Sequence, residues 1–110
     1  MRTIKTDIAR NLDGDVTADA LAARHHVSAR YIRKLFEGED TSLSHFVLGE
    51  RLVRVHRMLT DPRWTRLGIG ALAFAGGFGD LSTFNRHFRQ RFGVTPSDVR
   101  AAARRDVGTD

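Results

Sequence analysis

The chain has 110 residues, no cysteine and a formal net charge of +5, with an isoelectric point near 10.9. This length suits one compact domain or two small lobes, and it leaves little room for an enzyme cleft with a cofactor site. The lack of cysteine excludes a disulfide framework and a thiolate metal site, and it suits a reducing compartment. Because the sequence has no signal-peptide pattern and no long apolar run, it predicts a cytoplasmic protein without a membrane segment.

Apolar periodicity, capping residues and the scarcity of β-branched runs predict an all-α fold of seven helices. Thr17, Ser28 and Asp80 are the expected N-caps of the second, third and sixth helices. Pro96 is expected to open the seventh helix at its first position. The helices are expected at about residues 2–11, 18–25, 29–38, 43–60, 67–75, 81–92 and 96–104.

The second and third predicted helices reappear in the fifth and sixth as a degenerate internal repeat. The segment ALAARHHVSARYIRKLF, starting at Ala20, matches ALAFAGGFGDLSTFNRHF, starting at Ala71. The offset is 51 residues before the turn and 52 after it. Each copy has a short apolar helix, a tight turn, and a second helix that is apolar on one side and basic on the other. The pattern predicts helix-turn-helix subdomains at about residues 18–38 and 67–92, joined by the long fourth helix.

The apolar residues predict which side of each second helix is buried. Ile32, Leu35 and Phe36 form one stripe on the third helix, and Leu81 begins the corresponding stripe on the sixth. Trp64 is expected to pack under the loop before the second repeat. Most phenylalanines are expected in the core. They are Phe36, Phe46, Phe74, Phe84, Phe88 and Phe92.

The opposite sides of the third and sixth helices, called the reading helices below, carry basic and hydrogen-bonding residues. Charges balance over residues 1–27 and 37–79, so the excess positive charge lies on the reading helices and the C-terminal tail. Clusters of positive charge at matching positions in two repeats are typical of a protein that binds a polyanion such as DNA. The major groove of B-DNA admits a helix, and there arginine pairs with guanine and asparagine with adenine. The residues predicted to face DNA are Arg30, Arg33, Lys34, Ser82, Thr83, Asn85, Arg86 and Arg89.

The fourth helix predicts a spacing between the reading helices. About 18 residues at a rise of ~1.5 Å give a length of roughly 27 Å. Successive major grooves on one face of B-DNA are ~34 Å apart. With its flanking loops, the fourth helix is therefore expected to set the reading helices in adjacent major grooves of one asymmetric site.

Two other functions fit the positive charge. A basic helical module would dock on an acidic partner such as an RNA polymerase subunit. Docking helices usually carry exposed leucine, methionine or aromatic anchors, and the polar stripes of the reading helices carry none. Non-specific binding of nucleic acid by charge alone would not require two matched, capped helices. Sequence-specific DNA binding is therefore favoured.

The sequence favours binding over catalysis. Its histidines lack metal-ligand spacing, and no nucleophile is paired with a base. Residues 68–73 match a dinucleotide fingerprint, but no predicted strand precedes them. No metal, cofactor or enzymatic activity is therefore expected.

Three arginines near the C-terminus allow two interpretations. Arg100, Arg104 and Arg105 either bind DNA phosphates or form the solvated end of the last helix.

The chain resembles the DNA-binding domain of AraC/XylS-type bacterial transcription regulators over about residues 4–103. The resemblance is densest in IGALAFAGGFGDLSTFNRHFRQRFGVTPSDVR. It rests on three short motifs. The turn motif is formed by Ala73, Gly77 and Phe78, and the core motif by Phe84, Arg86 and Phe88. The motif that ends the helix is formed by Phe92, Gly93 and Pro96.

The resemblance implies a seven-helix double helix-turn-helix domain that regulates transcription at a promoter, with RNA polymerase as a further possible partner. Such regulators usually carry a second domain that binds an effector or dimerises. The sequence is therefore expected to be the C-terminal part of a longer regulator, with a natural short form as the alternative. By position, the resemblance implies that the base-facing residues are Arg30, Arg33 and Lys34 in the first reading helix. In the second reading helix it implies Ser82, Thr83 and Arg86.

Overall fold

The computed structural model describes residues 1–108, and within them the fold is all-α, with seven α-helices and no strand. The predicted fold class and helices are confirmed, and most helix ends agree with the prediction, with four of them shifted by one or two residues. A 3-10 turn at Pro62–Trp64 was not predicted, and the last helix is longer than expected. Residues 109–110 of the predicted domain lie outside the described residues. The helices are α1 (Arg2–Arg10), α2 (Ala18–His25), α3 (Ala29–Glu37), α4 (Leu43–Leu59), α5 (Ile69–Ala75), α6 (Leu81–Phe92) and α7 (Pro96–Gly108).

The chain divides into two compact units, one over Met1–Glu50 and the other from Arg51 onward. The first unit holds α1 to α3 and the beginning of α4, and the second holds the rest of α4 with α5 to α7. Each unit therefore contains one of the two predicted helix-turn-helix pairs, α2–α3 or α5–α6.

The first unit is built around apolar residues from all of its helices. Ile8, Leu21, Ile32 and Phe36 are fully buried. The ring of Phe46 at the start of α4 packs on Phe36, with 5.4 Å between the ring centroids. The predicted apolar stripe of α3 is thus confirmed as the side that anchors this helix.

A buried carboxylate links α1 to α2. Asp7 accepts hydrogen bonds from Arg24 Nε and Nη2, both at 3.0 Å, and from Asn11 Nδ2 at 2.8 Å. His25 Nε2 lies 2.6 Å from the same carboxylate. The bonds from Arg24, together with those from His25 and Asn11, lower the pKa of Asp7 although its burial acts to raise it. The Asp7 side chain is only 10% exposed, so its carboxylate is largely shielded from water where it binds Arg24.

The second unit has its own aromatic core. Val55, Leu72, Phe84 and Phe88 are fully buried. The rings of Phe84 and Phe88 lie 5.5 Å apart between centroids, within the range of favourable aromatic pairs. His56 of α4 stacks on Phe88 at 6.0 Å. This core therefore joins the C-terminal half of α4 to α5 and α6.

The expectation that Phe74 lies in the core is wrong, because its side chain is 77% exposed. α5 has seven residues, and its buried side is occupied by Leu72 and Ala73. Phe74 follows them by another ~100° around the helix and therefore points away from the core. Phe74 matches Ala23 in the first repeat, which is also exposed.

The caps and turns reproduce the sequence repeat. Side chains of Thr17, Ser28 and Asp80 accept backbone N–H bonds at the starts of α2, α3 and α6, as predicted. His26 and Gly77, which are 51 residues apart in the sequence, both have positive φ, 57° and 106°. The histidine therefore adopts the left-handed turn conformation that the second repeat assigns to a glycine.

A buried arginine holds the segment that leads into α5. Arg100 is 8% exposed, and its Nη1 and Nη2 donate to the carbonyl oxygens of Leu67 at 2.6 Å and Trp64 at 3.0 Å. Arg104 Nη2 donates to the carbonyl of Thr65 at 3.4 Å. Burial lowers the pKa of Arg100. Arg100 was expected either to contact a phosphate or to be solvated, and neither expectation fits. It is buried and stabilises the fold through its bonds to the backbone before α5.

Candidate nucleic-acid interface

The exposed side of α3 carries the cations expected there. Arg30, Arg33 and Lys34 are all exposed, while Ile32 and Phe36 on the other side have no exposed surface. Among the side chains that the structure describes, those of residues 1–105, none pairs with these three cations in a salt bridge within 4.0 Å. The helix is therefore anchored on its apolar side, while no described acidic residue neutralises the cations on the other.

Tyr31 belongs to the same surface and was not predicted. Its side chain is 51% exposed, and its backbone N–H donates to the Ser28 hydroxyl at the helix cap. Its position next to Arg30 and three residues before Lys34 was the available sequence signal. A half-exposed tyrosine offers both an apolar ring and a hydroxyl to a ligand.

The structure brings three of the five predicted α6 residues together. Asn85, Arg86 and Arg89 are exposed and line one open groove of about 870 Å³, together with Thr95 and Ser97 at the start of α7. Ser82 is exposed but does not line this groove. The α6 face therefore combines two guanidinium groups with an amide and hydroxyl groups.

Thr83 is half-buried and has a local partner. Its hydroxyl and its backbone N–H both bond to the Asp80 carboxylate that caps α6. The hydroxyl bond is the largest of the causes that lower the pKa of Asp80. The Thr83 hydroxyl is therefore engaged in the cap, and its methyl group is the part left for other contacts.

Leu81 does not belong to the anchoring stripe, which corrects the sequence prediction. Its side chain is 48% exposed and lines the groove with Asn85 and Arg86. Leu81 is the first residue of α6, and the residue beside it on α5 is Gly70, which has no side chain to cover it. The burial of α6 begins three residues later, at Phe84.

Leu81 and Tyr31 also change one argument against protein docking. The polar stripes of the reading helices were expected to lack apolar anchors, which favoured DNA binding over docking, but Tyr31 and Leu81 are both exposed. Charge, hydrogen-bonding groups and apolar surface together match what the major groove offers, which includes acceptors, donors and thymine methyl groups. The fold and this surface define a tandem helix-turn-helix domain of the DNA-binding type.

Comparisons with known proteins identify the family. A family model described as a helix-turn-helix domain matches residues 21–102, about three quarters of the chain. The crystal structure of a probable AraC family transcriptional regulator from Rhodopseudomonas palustris CGA009 superimposes with a TM-score of 0.81 at 31% identity, covering 93% of this chain and 94% of that one. The chain belongs to the AraC-type helix-turn-helix family of transcription regulators, as the resemblance implied, and it is the DNA-binding part of such a regulator.

Curated relatives agree with this assignment. The transcriptional activator RhrA of Rhizobium meliloti (strain 1021) is 38% identical over 104 residues, which cover 94% of this chain and 33% of the relative. The transcriptional activator NphR of a Rhodococcus species is 36% identical over 90 residues, covering 81% of this chain and 26% of the relative. The chain thus spans about a third of the length of these relatives or less.

Two expected absences concern the described residues alone. Among the described side chains of residues 1–105, no group of three potential ligands is placed to hold a metal ion, and the close partner of His25 is Asp7. No helix in this part of the chain is long and apolar enough to span a membrane.

Proposed function

We propose that the chain reads one asymmetric duplex site in two blocks, with α3 and α6 each entering a major groove. The observation that carries the proposal is the shared design of the two helices. Each has one side fixed by fully buried residues, Ile32 and Phe36 or Phe84 and Phe88. Each has an opposite side with exposed guanidinium groups that form no salt bridge within the described residues.

The base-facing residues are proposed in two sets that differ in chemistry. On α3 the set is Arg30, Arg33 and Lys34, which are all cations and favour guanine. On α6 the set mixes cations with neutral hydrogen-bonding groups, and Asn85 suits adenine. Its members are Ser82, Thr83, Asn85, Arg86 and Arg89, of which Thr83 acts mainly through the cap. The two blocks are therefore expected to differ in base composition.

The partners of the whole protein extend the proposal. In a longer regulator we expect contacts with RNA polymerase and a separate segment for effector binding or dimerisation. We assign no catalytic step to this chain, whose role is to bind promoter DNA.

Selection from random duplex DNA, followed by sequencing, tests the proposal. Two conserved blocks about one helical turn apart are expected. Arg33→Ala and Arg86→Ala are each expected to lose about 1–3 kcal/mol of preference at one base position, in different blocks. Binding is expected to weaken with salt, with a log–log slope near −0.9 for each neutralised phosphate.

The controls are arginines that are also exposed but lie outside the reading helices. Arg10→Ala serves the first unit and Arg66→Ala the second, and both are expected to leave base preference unchanged. A uniform loss across all sequences in Arg33→Ala or Arg86→Ala would reassign that residue to a phosphate. A single conserved block would show that only one helix contacts bases.

A further inference from the structure

Leu81 has an unusual position for a leucine. It is the first residue of α6, directly after the Asp80 cap, and 48% of its surface is exposed. It shares a helix face with Asn85 and Arg89, because the three residues follow at i, i+4 and i+8. All three line the same groove. An apolar side chain therefore extends the polar face of α6 at its N-terminal end, the end from which recognition helices contact base edges.

The leucine has α5 on one side. Its Cδ2 lies 3.9 Å from the position that a Cβ on Gly70 would occupy. Because Gly70 has no side chain, α5 passes close to Leu81 without covering it. The exposed part of the leucine is therefore left open for contact with a ligand.

We propose that Leu81 contacts the C5 methyl group of a thymine, and that it makes the α6 block selective for this base. The inference rests on the proposed function, because it requires α6 to enter a major groove. The C5 methyl is the apolar group that the major groove presents, and it is absent from the other three bases. Arg86 and Arg89 in the same groove supply the positive charge that draws the DNA backbone to this surface.

The neighbouring residues narrow the position of this thymine. Leu81 precedes Asn85 by four residues, a rise of ~6 Å along α6. Asn85 is proposed to bind adenine, so the thymine is expected within one or two base pairs of that adenine in the same block. On α3 the matching position is Ala29, at the offset of 52 residues, whose single methyl group reaches less far. A comparable thymine preference is therefore expected in the α6 block and not in the α3 block.

Replacement of thymine by deoxyuridine tests the inference, because it removes only the methyl group. The selected site is synthesised with a single dU at each thymine of the α6 block in turn, and binding is measured for each duplex. Burial of one methyl group corresponds to about a fourfold change in affinity. The unchanged protein is expected to bind one of these duplexes about fourfold more weakly, and Leu81→Ala is expected to bind it as well as its thymine counterpart.

Three variants make the test specific. Leu81→Met keeps an apolar side chain and is expected to retain the methyl dependence. Leu67→Ala removes another exposed leucine, 41% exposed and outside α6, and is expected to retain it as well. Thr83→Ser removes the Thr83 methyl group, the only other apolar group among the base-facing residues proposed for α6. Fluorescence of Trp64, the only tryptophan, confirms that each variant is folded in the second unit.

The outcomes separate the inference from the proposed function. If selection yields no α6 block, the proposed function fails, and the inference with it. If the block is present but dU has no effect at any position, or has the same effect in Leu81→Ala, Leu81 does not recognise the methyl group. A methyl dependence that disappears in Thr83→Ser instead would assign the contact to Thr83.

Discussion

A methyl group added at Gly76 is expected to disrupt the packing of α5 on α4. Gly76 is buried at the C-terminal end of α5, with φ −78° and ψ −5°, a conformation that any residue adopts. The requirement for glycine therefore comes from space. A Cβ at this position would lie closer than 3.0 Å to Cγ2 of Val55, and 3.4 Å from the carbonyl oxygen of Leu72.

The size of the effect follows from how little the neighbour can move. Val55 is fully buried, and a β-branched side chain within a helix has one strongly preferred rotamer. Overpacking of a well-packed core costs about 1–3 kcal/mol. Replacing glycine where its φ and ψ suit alanine returns about 0.4–1 kcal/mol through the unfolded chain. We therefore expect Gly76→Ala to destabilise the second unit by about 1–2 kcal/mol.

Thermal unfolding followed by Trp64 fluorescence measures this change, because the only tryptophan lies in the second unit. A loss of that size lowers the midpoint by about 5–10 °C. Gly79→Ala is the matched control. A Cβ at Gly79 would have no neighbour within 4 Å, so the free energy of unfolding is expected to change by less than about 0.5 kcal/mol.

A double-mutant cycle identifies the contact. Val55→Ala alone is expected to destabilise the unit by about 2 kcal/mol, because it leaves a cavity. The new methyl group of Gly76→Ala fills part of that cavity, so the double variant is expected to lose at least about 1 kcal/mol less than the sum of the single losses. Additive losses, or equal midpoints for Gly76→Ala and Gly79→Ala, would refute the explanation by close approach to Val55.

Two further predictions concern polar groups that the structure buries. Asp7→Asn is expected to destabilise the first unit by about 1–2 kcal/mol at neutral pH, because the hydrogen bonds of its carboxylate are weakened. The pKa of Asp7 is lowered from 3.8, so its stabilisation is complete above that pH and is lost as the pH falls through the lowered value. Amide hydrogen exchange in α1 and α2 should therefore show a difference between the proteins at pH 7 that disappears in strong acid, and a constant difference would contradict this. Arg100→Met is expected to cost about 2–4 kcal/mol in the second unit, because it removes two charge-assisted hydrogen bonds to part-buried carbonyls. Urea unfolding followed by Trp64 fluorescence measures this loss, with Arg105→Met as the exposed control. Equal losses of unfolding free energy in both variants would show that the Arg100 hydrogen bonds do not stabilise the unit.

The helices and their caps were predictable because their signals are local. Thr17, Ser28 and Asp80 each bond to a backbone N–H three residues later, and these spacings are visible in the sequence. The internal repeat then predicted two matching helix-turn-helix pairs, and the structure shows that their turns match as well, since His26 and Gly77 both have positive φ. Local chemistry and repetition together were sufficient for the fold class.

The remaining features depend on contacts between distant residues. Phe74 and Leu81 were assigned to the core because of their residue type, although apolar residues also contribute much of a protein surface. Arg100 bonds to carbonyls 33 and 36 residues earlier in the chain, and no motif marks such a contact. The predicted DNA-facing residues remain a prediction, since they depend on a ligand.

Separate cores have a consequence for how such a domain diversifies. The residues that anchor α3 and those that anchor α6 belong to different units, and the exposed side chains of each helix take no part in the other core. Under the proposed two-block binding, a substitution on one reading helix is expected to change one half of the binding site while the other half keeps its affinity. We therefore expect such a domain to change its site one block at a time, because the unchanged block still holds the protein on DNA.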